Sequence, residues 1–399
     1  MKSQKLWKSE RGIRSRASLN DKNGSYTVFI TIIFASIILF LSACIRASGA
    51  VAIDSAFKAF GRTWGRSILA EYDIELKERY GIFGFYADQT MVENKLDSYV
   101  KYTTDDKKYL KYGGSSCSLD GYALINPNNF VEQVRDVAIY RTKPKINYKD
   151  DGDRTNHYIN SKWVINALPS NSSNMRLDSS LVDSVSLYDY LFVYFKDYVN
   201  DRDLGRTYFR NEIEYVITGK LNDEQARQNT YYQILALRNA DNLAYLYSCP
   251  EKRALVAAIS EILGPEMAPA LEVALMEGWA IAEAKNDLAL LYAGKKVPIA
   301  KSDATWATSF WNAIIGYSGG LIDTGVEDGL DYDGYLKTLL LKTSDQKKVQ
   351  RIMDLIQINL KYNYCDYFLI DDYYVGLDFE LKLNGKSYEF TETYKRQEG

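Results

Sequence analysis

The chain has 399 residues, 46% hydrophobic and 25% charged, with a formal net charge of −3, which excludes a disordered polyampholyte and leaves length for two domains. One histidine, His157, and four cysteines with no CxxC pair exclude Ser-His-Asp triads, His-rich metal centres, zinc knuckles and a disulfide framework. Beyond the first 22 residues there is no basic stripe, so no nucleic acid is expected as a partner.

The first 22 residues hold seven basic side chains against two acidic ones, a net of +5. Ser25 to Ile45 follow without a charge. As a helix that run spans roughly 31 Å, the thickness of a bilayer's hydrocarbon core. A basic tail before an apolar helix stays in the cytoplasm, so the expected topology is a single-pass cell-membrane protein with its bulk extracellular. After Arg46, apolar residues recur at helical spacing through Phe57, Trp64 and Leu69. One helix from about Ser25 to Arg79 is therefore predicted, with Gly49, Gly61 and Gly65 as candidate bends and Gly81 as its stop. Leu41-Ser42-Ala43-Cys44 matches a lipobox, which makes Cys44 a candidate lipidation site; a cysteine packed in a membrane helix is the plainer reading.

Further along, 88–100 reads as a short helix, 116–125 as a strand, and Asn126-Pro127-Asn128 as a turn opening a helix at Phe130. Residues 149–182 are polar and read as a linker. From 183 to 362 the pattern is helical: 188–198, 223–247 with an Asp cap, 251–263, 269–292, 304–317, 333–341 and 344–362. Tyr373 to Leu383 switches to period two, Asn384-Gly385 suggests a type I′ turn, and 386–394 returns, with 368–370 as an added strand. A lone hairpin is marginal, so it should pair with strands from 105–125. The fold class is α+β: a long N-terminal transmembrane helix continuing into the outer domain, a small antiparallel sheet ending in a C-terminal hairpin, and an inserted helical bundle. The domains read as tail 1–24, membrane helix 25–45, extended helix and first half of the α+β domain 46–148, linker 149–182, helical domain 183–362 and hairpin 363–399.

Several carboxylates interrupt apolar stripes. Glu283 and Asp287 lie one turn apart, Glu212 and Glu214 share one short stretch, and Arg238 breaks another stripe. Buried carboxylates can act as general acid and base, yet they pair more often with a neighbouring Arg and fix helix register. Glu212, Glu214, Arg238, Glu283 and Asp287 are accordingly predicted to form a structural polar network. Asp331-Tyr-Asp333-Gly334 lacks the remaining ligands of a calcium loop, and Asp333 reads as a helix cap. Without a P-loop, GxGxxG or GxSxG, no cofactor, no metal and no catalytic residue are expected, and the chain does not read as an enzyme.

Leu69–Gly84, Glu132–Arg141, Tyr208–Gly219, Gly294–Lys301 and Arg351–Asn359 together resemble, in this order, an uncharacterised family of single-pass membrane proteins of Gram-positive anaerobes. That family is encoded beside tight-adherence (Flp-type) pilus components and is pseudopilin-like at its N-terminus. The resemblance implies a structural or assembly component of a type IV-like pilus or secretion system, with the membrane and other pilus or secretion-system subunits as partners, and homo-oligomerisation as an option. It also implies cleavage between Gly24 and Ser25, after basic residues; the mature fifth position is Phe29, where pilins usually carry Glu. The alternative is a membrane- or lipid-anchored binding protein or adhesin without a pilus role.

Overall fold

Asn20–Leu69 forms one unbroken helix, α1, in a computed structural model that describes residues 20–107, 109–140, 184–200, 202, 204–316 and 321–394. The first 19 residues of the basic tail and the linker 149–182, with His157, lie outside the described residues. The chain divides into two compact units, Met1–Trp64 and Gly65–Gly399. In the first, the side chains from Tyr26 to Leu41 are all exposed. This helix, near the N-terminus, is long and apolar enough to cross a membrane. Further along it, Trp64 stacks on Phe60 one turn away at 5.9 Å and meets Phe57 edge-on at 5.6 Å.

The second unit begins with the last turn of α1 and breaks the predicted single helix. The chain leaves helix geometry after Leu69, and the Asp73 side chain accepts from the Leu76 amide at 2.8 Å to start α2, Ile74–Tyr80. Gly81, at φ 69°, ends α2 with its amide on the Lys77 carbonyl. Gly65 is a close-approach position and no bend: a Cβ there would sit 2.8 Å from both Phe379 and Glu392.

β1 (Phe85–Tyr86) leads to α3 (Gln89–Thr104), capped by Asp88 and buried along Val92, Leu96, Val100 and Thr104. β2 is Tyr112–Ser118, earlier than the predicted 116–125, because Gly121, at φ 83°, turns the chain away. α4 (Pro127–Tyr140), α5 (Ser184–Tyr194) and α6 (Glu212–Thr218) follow. Then come α7 (Asp223–Ser248), α8 (Pro250–Leu263), α9 (Ala268–Tyr292), α10 (Phe310–Ile315), α11 (Tyr332–Lys342) and α12 (Asp345–Asn363). Two caps differ from expectation. Asn222, not Asp223, caps α7, and Asp331, not Asp333, caps α11 with its side chain on the Gly334 amide at 2.9 Å.

The chain ends in β3 (Tyr373–Tyr374), β4 (Gly376–Leu383) and β5 (Lys386–Thr393). The predicted strand 368–370 is instead a turn entering a 3₁₀ helix, Ile370–Asp372. Asn384 and Gly385, at φ 52° and 77°, make the two-residue hairpin turn. β4 pairs antiparallel with both β5 and β2, and β1 pairs with β3. Early and late strands thus close on each other across the helices, with Leu377, Phe379, Leu381 and Leu383 on the buried face of β4.

One core runs through the second unit, from Leu76 on α2 through Phe130, Leu191, Ile213, Ile234, Leu288 and Leu336 to Tyr373. α12 is buried on most sides, with Ile352, Met353, Leu355, Ile356 and Ile358 all inaccessible. A smaller cluster joins α7 to α10 through Leu246, Val256, Met276, Trp279 and Phe310.

Candidate functional site

The five predicted network residues fall into two separate buried networks. In the first, Arg238 on α7 donates through Nε to Asp287 Oδ2 on α9 at 3.0 Å, and Nη2 approaches the same oxygen at 2.9 Å. Its Nη1 reaches the Pro298 carbonyl at 3.0 Å and Tyr335 Oη at 3.2 Å. Lys301 Nζ donates to Asp287 Oδ1 at 2.7 Å and to Glu283 Oε1. Glu283 also accepts from the amides of Ala307 (3.0 Å) and Thr308 (2.7 Å) and from the Thr308 hydroxyl (2.8 Å).

Two carboxylates thus face two cations. Arg238, Glu283 and Asp287 are wholly buried, the Lys301 side chain nearly so, and none of their buried polar atoms lacks a partner. Full pairing is what makes such burial tolerable. The network also explains why α10 starts at Phe310 rather than Ala304. Glu283 holds the 307–308 amides out of a helix until the Ser309 side chain accepts from the Asn312 amide. The sequence left Lys301 out because a loop lysine carries no periodic signal.

The second network belongs to α6. Glu212 accepts from the Lys196 amide at 2.8 Å and Asn359 Nδ2 at 2.6 Å. Glu214 accepts through Oε1 from the Tyr198 amide at 2.9 Å and Tyr332 Oη at 2.7 Å. With the Ile213 amide on the Lys196 carbonyl at 3.0 Å, α6 grips the segment after α5 at alternate residues, as a strand partner would. Glu214 Oε2 is buried with no hydrogen-bond partner. Burial pushes both carboxyls up to about 7, against the opposing pull of their hydrogen bonds.

Beside them Asp197 accepts from the amides of Val199 (2.9 Å) and Asn200 (2.8 Å) and pairs with Arg202. Arg202 then grips Asp333 at 2.8 and 2.9 Å. Asp333 is therefore a tertiary ion-pair partner and not a cap.

A titration range near 7 suits proton transfer. Glu212, however, is held by protein donors on both oxygens and Glu214 on Oε1 alone, while Glu283 and Asp287 are neutralised by Arg238 and Lys301. A shallow depression along α3, lined by Asp88, Met91, Asn94, Lys95 and Tyr99, touches neither network. Among the described residues no group of three or more His, Cys, Asp or Glu side chains is placed to hold a metal ion.

On α1, Cys44 is exposed and the helix runs through it without a break; Gly24 and Ser25 lie in the same helix. Cys117, Cys249 and Cys365 are free thiols.

A family model described as a family of unknown function (DUF5702) matches residues 145–385, which include every residue of both networks. No curated protein and no solved structure matches the chain.

Proposed function

The chain belongs to this family of unknown function, and from that premise we propose that it is a membrane-anchored structural or assembly component: a pilin-like subunit that works by protein contact. In this reading the basic tail stays in the cytoplasm and α1 crosses the bilayer. The second unit is displayed outside the cell, where it joins other subunits of a tight-adherence, type IV-like pilus or secretion system. The observation that carries the reading is α1, whose side chains from Tyr26 to Leu41 are apolar or small, uncharged and exposed. Such a surface is stable in lipid and not in water. The full pairing of Arg238 and Lys301 with Glu283 and Asp287 gives further support, because it commits those charges to the fold.

The test is the amino-terminal residue and intact mass of the protein extracted from its native membrane. A chain beginning at Ser25 supports a processed pilin-like subunit. A chain retaining residues 1–24 refutes processing and leaves a permanent anchor. A chain beginning at a diacylated Cys44 replaces the pilin-like reading with the lipid-anchored binding protein or adhesin.

A further inference from the structure

β5 is an edge strand. In the order β2-β4-β5 it has β4 on one side and no described strand on the other. The two-residue turn at Asn384-Gly385 makes Leu383 and Lys386 a hydrogen-bonded pair, so the even-numbered residues of β5 bond to β4. The Tyr394 amide on the Val375 carbonyl, at 3.0 Å, continues that parity. The N–H and C=O groups of Ser387, Glu389 and Thr391 therefore point away from the sheet, and all three residues are exposed. Among the described residues no backbone group pairs with them. The strand is eight residues long, contains no proline and meets β4 without a register shift, so no bulge twists the edge away. Such a row of free donors and acceptors is a template for one more strand.

The side chains along this edge select the occupant. On the face turned from the core, Asp378, Glu380 and Lys382 of β4 stand opposite Thr391, Glu389 and Ser387 of β5. Asp378 accepts from the Thr391 hydroxyl at 2.5 Å and from Tyr122 Oη at 2.9 Å. Glu380 and Glu389 face each other directly, and among the described residues neither makes a hydrogen bond or an ion pair. Like charges directly opposite on a sheet are destabilising, and β2 adds only Ser116 to that row. Lys382 is the one cation that the three strands place on this face, against three carboxylates. Two copies of β5 paired antiparallel would lay two such acidic faces side by side in one sheet, which opposes self-association. We propose that β5 takes up an extended segment of a partner protein as a fourth strand, with Lys or Arg opposite Glu389. The partner's backbone bonds to Ser387, Glu389 and Thr391, and its basic side chain relieves the opposition of Glu380 and Glu389. The inference rests on the assembly reading and names the surface and the partner's chemistry.

The experiment uses the full chain in zwitterionic nanodiscs. The probes are two synthetic peptides as long as β5, one of alternating valine and lysine and one of alternating valine and glutamate. The lysine peptide is expected to bind about tenfold or more tightly than the glutamate peptide at low salt, the gap shrinking as salt screens it. Methylating its lysine amides, which face β5 in the proposed pairing, should weaken binding by about tenfold or more, and methylating its valine amides should not. Ser387→Pro removes one outward N–H without changing the charge and should weaken binding of the lysine peptide. Glu389→Lys should reverse the preference between the two peptides. Both positions are exposed on the free edge, and both variants should keep the parent thermal midpoint. Equal affinity for the two peptides overturns the proposal. Binding indifferent to methylation of the lysine amides also overturns it, because charge attraction would then act without strand addition. Undiminished binding of the lysine peptide in both variants overturns it as well. Concentration-dependent dimerisation lost in the Ser387→Pro variant would overturn it in favour of a second copy. None of these results bears on the amino-terminal residue, so failure here is distinguishable from failure of the pilin-like reading.

Discussion

Arg238 shows what a buried charge demands of its neighbours. It has no exposed surface and is held by Asp287, Tyr335 and the Pro298 carbonyl. Removing it would leave Glu283 and Asp287 with Lys301 alone, so Arg238→Met should cost about 3–5 kcal/mol, read by urea denaturation. Lys301→Met should cost a similar amount, despite lying in a loop. Glu214 behaves differently, since its carboxyl is raised to about 7 from an ordinary value near 4.5. The folded protein binds this proton more tightly than the unfolded chain. The stabilisation is therefore complete below about 4.5 and is lost as pH rises through about 7. Glu214→Gln mimics the protonated form and places an amide where Oε2 now lacks a partner. The thermal midpoint of the variant relative to the parent should climb between pH 5 and pH 8; a constant difference would refute the shift. That Arg238 and Asp287 interrupt apolar stripes was legible; that they pair with each other was not. The separation of Glu212 and Glu214 into their own network was not, because sequence gives a residue's own helix face and not the element that covers it.

Among the elements, those with a strong local code were read most faithfully. The hairpin β4–β5 came from alternation plus Asn384-Gly385, and the structure shows both turn residues at positive φ. α3, α9 and α12 came from apolar periodicity bounded by caps or glycines. β2 was misplaced because Tyr-Gly-Gly-Ser-Ser-Cys-Ser carries almost no alternation, and pairing to β4 alone defines it. Gly65 was read as a bend because glycine's usual role is conformational, whereas here the missing Cβ lets the backbone at Gly65 lie against Phe379. Gly65→Ala should therefore destabilise by about 1–3 kcal/mol, even though alanine is the better helix former by about 1 kcal/mol. On the same sheet, Leu381→Ala should cost about 2–5 kcal/mol, since Leu381 is inaccessible on the buried face of β4. Both are measured by chemical denaturation, and a stabilised Gly65→Ala variant would show that the contact with Phe379 yields.

At the scale of the whole molecule, the second unit is closed by pairings between distant parts of the chain. β2 meets β4 and β1 meets β3, with the helical bundle between them in sequence. Contacts of such separation form late, because loop closure precedes their reward. A chain shortened after Asn363 would leave β2 without a partner and the core without Phe368, Ile370 and Tyr373. It should lose the cooperative unfolding transition, and retention of one in calorimetry would show that the helices fold without the sheet. The sequence by itself determined the apolar helix near the N-terminus, the helix-rich α+β class, the C-terminal hairpin and the membership of charged residues in buried stripes. Each is a pattern with a local period, and a period is set by backbone geometry that neighbours in the chain already share. Only the tertiary structure decided the break after Leu69, the recruitment of Lys301 and the division of the carboxylates into two networks. Each of these depends on which distant surface covers a residue, and burial, pairing and exposure are relations between elements that no single stretch encodes.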